Sequence, residues 1–203
     1  MRVIVVGASG TIGKAVVNEL GDRHDIVKVG RQRGDLTVDI SDPNSIMSMY
    51  TEIGSFDALV CAAGHVHFGP FMDFTQEQWQ LGLNHKLMGQ VNLVMMGMDH
   101  INDRGSFTLT SGILGDEPIE FGASASMVNG ALQGFVMSAA IEMPRGIRIN
   151  LVSPTVIEEA LPDYGPFFRG FDAVSAAKAA LGYAKSVEGR RTGQVIRING
   201  CVV

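Results

Sequence analysis

A chain of 203 residues with an apolar share of 46% can bury one sheet covered on both faces, and it reads as a single domain over 1–203. Its net charge of −5 leaves no basic excess to hold phosphodiester backbones or anionic lipid, so nucleic acid and membrane surfaces are excluded as general partners. Glycine is abundant, 25 residues without a repeat, which points to many tight turns rather than a fibrous chain.

The first apolar run, Val3–Val6, feeds Gly7-Ala8-Ser9-Gly10-Thr11-Ile12-Gly13 and a helix predicted over Ile12–Leu20. The N-terminus reaches glycine after only four apolar residues beyond Arg2, too soon for a secretory leader, so a cytoplasmic location is expected. A strand that enters a glycine turn opening a helix has a chemical use. No side chain holds the backbone away from a diphosphate, and the free N–H groups of the helix face it. The spacing is G-x-x-G-x-x-G rather than G-x-G-x-x-G. The turn reads as a dinucleotide site built on Gly7, Ser9, Gly10, Thr11, Ile12 and Gly13. The second strand, Ile26–Val29, ends in Gly30-Arg31-Gln32-Arg33, with Asp25 before the strand and Asp35 after the turn. No acid therefore stands at the tip to hold a ribose hydroxyl. The planar fork of Arg31 suits a 2′-phosphate, which favours NADP(H) over NAD(H).

Leu36–Val38 is the third strand, and Asp42-Pro43 starts a helix over Pro43–Glu52. Ala58–Cys61 is the fourth and runs into Ala62-Ala63-Gly64. Cys61 and Cys201 each sit in apolar runs and read as reduced thiols in or near the core. His65-Val66-His67 alternates like a ligand pair, but no third donor is spaced to join it, so a loop and no metal site are predicted. Thr75 with Gln78 offers a capping box to a long helix over Thr75–Met98. Its uncharged stretch, Leu87 to Met98, is too short to span a bilayer. Strands Ser106–Thr110, Arg148–Val152 and Gln194–Ile198 alternate with helices Ser124–Met143 and Asp172–Ser186. Asp172 is expected to cap the last of these, with Val174, Ala177 and Leu181 on its buried stripe. Continuous apolar strands alternating with helices give an α/β fold, a single Rossmann-type doubly wound parallel sheet of about seven strands with helices on both faces. A short lid-like segment is expected at about 155–171.

In this order the motifs resemble the short-chain dehydrogenase/reductase family, nearly end to end, from Gly7 to Gly200. The resemblance implies an adenine site at Asp39 and Ile40, and a backbone against the dinucleotide at Ala62, Ala63 and Gly64. It makes Asn84 and Ser111 half of the catalytic set. Arg145 to Pro154 resembles the strand leading to the nicotinamide, and Thr192-Gly193-Gln194 with Asn199-Gly200 the last strand and its exit. The family also carries a tyrosine and, one helical turn later, a lysine. Anchored on Gly134-Phe135, those positions hold Ala125 and Asn129. Thr155 takes the place of the glycine in the usual Pro-Gly pair.

A tyrosine hydroxyl needs a neighbouring cation to trade protons near neutral pH, so loss of the pair alters the chemistry. Two readings stay open. One is an NADP-dependent oxidoreductase of unknown substrate with a degenerate active site. The other is a non-catalytic nucleotide-binding sensor or scaffold. A third, weaker one keeps the cofactor for an isomerase or lyase reaction. Tyr164, on the lid segment, is a candidate substitute acid. Lys86 lies two residues past Asn84 and, at α-helical spacing, is expected to face elsewhere. In the family, helices equivalent to Thr75–Met98 and Ser124–Met143 pair between subunits, which implies a homodimer or homotetramer.

Overall fold

The structure, a computed structural model, describes residues 1–200; Cys201 lies outside them. The strands are β1 (Arg2–Val6), β2 (Asp25–Gly30), β3 (Leu36–Thr37), β4 (Phe56–Cys61), β5 (Ile101–Thr110), β6 (Arg148–Pro154) and β7 (Val195–Ile198). All pair in parallel in one 7-stranded sheet of order β3-β2-β1-β4-β5-β6-β7. The helices are α1 (Thr11–Gly21), α2 (Pro43–Ile53), α3 (Gln76–Leu81), α4 (Gly89–Gly97), α5 (Ala123–Glu142), α6 (Leu161–Tyr164) and α7 (Ala176–Glu188). A π-helical segment, Gly82–Met88, joins α3 to α4. The fold is the doubly wound one expected.

The apolar runs are continuous because each strand is buried twice. Ile4 and Val6 of β1 join the layer under α2, α4 and α5, with Met49, Leu93 and Leu132. Val3 and Val5 point the other way, into the layer under α1 and α7, with Val16, Leu20 and Tyr183. Burying each such side chain favours folding by about 1.5–3 kcal/mol. Strand order reverses between β1 and β4, which opens a crevice at their carboxyl ends.

The predicted starts of two helices hold. The Asp42 carboxylate accepts from the Asn44 amide at 2.9 Å, and Thr75 forms a complete capping box with Gln78. The last helix differs. Ser175, not Asp172, caps α7, accepting from the Lys178 amide at 3.2 Å. Val174 is held extended by a bridge to Ile157, so the chain is not yet helical there. Ala177 and Leu181 are exposed; the buried stripe is Ala176, Ala179, Ala180, Tyr183 and Val187. β5 also starts earlier than its apolar run, and its register against β4 shifts between Phe56 and Ala58. The polar stretch Asn102-Asp103-Arg104 hides that beginning from a hydrophobicity pattern. Among the described residues, no helix is long and apolar enough to cross a membrane.

Candidate functional site

The turn after β1 is shaped by close backbone approach. Gly7 has φ 83°, and a Cβ there would stand 2.6 Å from the Ala62 carbonyl oxygen. A Cβ on Gly13 would collide with the Gly7 carbonyl. Gly10 is different: its Cβ would meet nothing nearer than the Gly7 oxygen, at 3.4 Å. Fold geometry therefore demands Gly7 and Gly13, whereas Gly10 is spare as far as the chain itself is concerned. Gly10 is the N-cap of α1, and no side chain caps this helix. Asp42, Thr75 and Ser175 do that for α2, α3 and α7. The first-turn amides of α1, on Thr11, Ile12 and Gly13, lack intrahelical acceptors. They open beside a cleft of about 230 Å³ lined by Gly7, Ser9, Gly10, Arg31, Ile40, Ala62, Ala63 and Gly64.

Arg31 stands at the β2 tip, largely exposed, with its guanidinium 3.3 Å from the Asp39 carboxylate. Such exposed pairs contribute little. Asp39 does not line the cleft; its neighbour Ile40 does. The Asp39 carboxylate instead accepts from the Ser41 hydroxyl at 2.6 Å and the Ser41 amide at 3.0 Å. These bonds, with a smaller contribution from Arg31, hold its pKa below the usual carboxylate range. Asp39, the expected adenine-site carboxylate, thus braces the loop after β3 beside the cleft. His85 lines the same cleft, its ring edge-on to His65 at 4.8 Å. Burial, with His65 adding to it, lowers the His85 pKa. Among the described residues, no three His, Cys, Asp or Glu side chains converge as metal ligands.

Beyond Ile12 a second cleft, about 340 Å³, opens over the ends of β5 and β6. Ser111, Ala125, Asn129 and Pro154 all line it, as do Lys86 and Tyr164. The Ser111 hydroxyl and the Asn129 amide both reach the Gly112 carbonyl oxygen, at 3.4 Å each. The Asn129 Oδ1 atom is buried with no partner. Tyr164 lies on α6 with its ring against Phe68, 5.6 Å between centroids.

Asn84 is absent from this cleft. It is exposed and borders a separate surface hollow with Gln80 and Glu77. Lys86 is there in its stead, its amine 3.5 Å from the Ser111 carbonyl oxygen. The π-helical turn is the cause. It adds residues per turn, so α-helical spacing gives the wrong face. Gly82 and Gly89 bracket the segment at close approaches, where a Cβ would stand 2.7 Å from the Ser124 hydroxyl and 2.9 Å from Ile40 respectively. Burial pushes the Lys86 pKa down to about 8 and that of nearby Cys61 up to about 12. Sequence reasoning missed Lys86, and the two glycines were the only local signal of a non-α turn.

Fold and clefts define a Rossmann-type α/β domain with a glycine-lined crevice at its topological switch. A family model described as Enoyl-(Acyl carrier protein) reductase matches residues 2–195. Carbonyl reductase (NADPH) 2 from Sus scrofa is 30% identical over 181 residues, covering 79% of this chain and 73% of its own. The crystal structure of the protein lin1944 from Listeria innocua superposes with TM-score 0.96 at 49% identity, over 98% of this chain and 99% of that one. A small-chain dehydrogenase in complex with NADPH superposes with TM-score 0.89 at 25% identity, over 98% and 97%. The chain belongs to the short-chain dehydrogenase/reductase family.

Proposed function

We propose that this chain is a cytoplasmic, NADP(H)-dependent oxidoreductase of an apolar carbonyl substrate, working with an altered catalytic set. The observation that carries the reading is the uncapped N-terminus of α1, opening at a glycine turn between two clefts. An elongated ligand with a diphosphate at its middle and a ring system at each end fits that arrangement. The amides of Thr11, Ile12 and Gly13 would hold the diphosphate. Ile40, Ala62, Ala63 and Gly64 would meet the adenine half, and Ile12 and Pro154 the nicotinamide half. The bound group supplies a hydride.

NADP(H) is favoured over NAD(H) by Arg31 and by the Ser9 hydroxyl close to Gly30, where a Cβ would lie 3.4 Å from it. Together they suit a 2′-phosphate. Two relatives named or solved with NADPH support the same choice. Arg31 would leave Asp39 for the phosphate, a small cost for an exposed pair.

Ala125 and Asn129, which the resemblance assigns to the tyrosine and lysine positions, line the second cleft, and this favours a second reading, a nucleotide sensor without turnover. Calorimetric titration with NADPH and NADH, followed by turnover across uncharged aldehydes and ketones, separates them. NADPH binding with turnover supports the reductase, and binding without it supports the sensor.

A homo-oligomer fits the outer face of α4 and α5. Met95 and Ile141 are 63% and 87% exposed there, beside an apolar groove lined by Val94, Met98 and Phe135.

A further inference from the structure

We propose that the ammonium of Lys86 donates the proton to the substrate oxygen, in place of the family's phenol. This rests on the reductase reading above. The geometry is specific. The Lys86 amine reaches the end of β5, 3.5 Å from the Ser111 carbonyl oxygen, in the cleft that also holds the Ser111 hydroxyl. Its stem is clamped against the backbone at Gly64, where a Cβ would stand 2.7 Å from Lys86 Cγ. Gly64 has φ 151°, so it is both the close approach and a conformation that disfavours side chains. The amine is therefore fixed over Ser111 rather than free to sweep solvent.

Nothing neutralises it. Cys61, from β4, and Tyr164, across the cleft from α6, are the titratable side chains that face it. His85, next to it in the π-helical segment, faces the other cleft. No salt bridge among the described residues includes Lys86. Such an amine keeps its proton near neutral pH yet releases it readily, since burial brings its pKa to about 8. The walls around it are Val66, Phe68, Ile113, Leu114, Val156 and Phe168. They suit a neutral, apolar carbonyl compound, and they offer no second cation to bind an acid.

The carbonyl carbon would receive a hydride supplied by bound NADPH, the reductant, which would leave as NADP+. The carbonyl π pair moves to oxygen. One N–H bond of Lys86 breaks as the O–H bond forms, with the Ser111 hydroxyl as a further donor to that oxygen. Lys86 is left as a neutral amine and regains a proton from water at the cleft mouth.

The test compares wild type, Lys86→Met and Tyr164→Phe with NADPH and benzil, a neutral aromatic diketone, as probe. NADPH affinity is read by calorimetry, kcat across pH, and Lys86 reactivity toward acetic anhydride by mass spectrometry. The expected result is a kcat about 100-fold lower in Lys86→Met, with NADPH affinity within about threefold of wild type. The wild-type kcat falls above a pH near 8, and Lys86 acetylation titrates at that same pH. A Lys86→Met enzyme that keeps its rate overturns the proposal. So does a larger loss in Tyr164→Phe, or a Lys86 that acetylates like an ordinary surface lysine. Wild-type protein that binds NADPH but reduces neither benzil nor other apolar aldehydes and ketones also overturns it, and leaves the nucleotide reading intact. Failure to bind NADPH at all would remove the reading beneath it.

Discussion

Gly10 and Gly13 separate two reasons for having no side chain. Gly13→Ala drives a methyl into the Gly7 carbonyl. It is predicted to lower both stability and NADPH affinity, the former by about 1–3 kcal/mol in urea unfolding. Gly10→Ala meets only a 3.4 Å contact, so its melting temperature stays near wild type while NADPH affinity falls at least tenfold. Equal stability losses in the two variants would contradict that distinction. Lys86 makes the opposite prediction. Its folded pKa, about 8, lies below the ordinary lysine value of about 10.4. The unfolded chain therefore binds more protons between those values, and stability rises with pH across that window. At neutral pH the half-buried ammonium opposes folding by on the order of 1–3 kcal/mol. Lys86→Met should raise the melting temperature by several degrees, measured by calorimetry. An unchanged or lowered value would show that the amine is well solvated. The glycines were legible in the sequence because strand, turn and helix left few other residue types possible. Lys86 was not, since its position depends on helical pitch rather than residue type.

Elements announce themselves when their ends carry local chemistry. Asp42-Pro43 and the Thr75–Gln78 box are within a few residues of the helices they start, and both were readable. Asp172 offered an equally good cap by composition, but the Ile157–Val174 bridge keeps the chain extended past it. That contact is tertiary, and a local pattern cannot contain it. Ser175→Ala is accordingly predicted to cost about 1 kcal/mol of stability in chemical unfolding, whereas Asp172→Ala leaves α7 capped. A larger loss for Asp172→Ala would contradict the observed start of α7. The π-helical segment is the element with most consequence for chemistry. It turns Asn84 to the surface and Lys86 into the cleft, and it is held by packing of Gly82 and Gly89 against α5 and the loop after β3. The family resemblance supplied a helix asparagine at this place. The pitch of this particular helix decided which side chain arrived.

At the scale of the molecule, alternating strands and helices were enough to predict a doubly wound sheet. Its strand order puts the glycine turn and the end of β5 on the same edge. The exposed methionines and Ile141 on α4 and α5 predict an oligomer by sedimentation velocity, with Met95→Glu dissociating it. A monomeric wild type would contradict this. Among carboxylates, Asp116 and Glu188 are held below their usual pKa by bonds to Arg197 and Arg23. Their contribution to stability is present above the ordinary carboxylate range and is lost as pH falls through the lowered values. Dinucleotide binding depends on the glycine turn between the two clefts. Calorimetric titration of the wild-type protein with NADPH tests it most directly. Saturable one-to-one binding, weakened at least tenfold in Gly10→Ala and weaker for NADH, is the predicted result. No heat of binding for either dinucleotide, from protein that is fully folded, would contradict it.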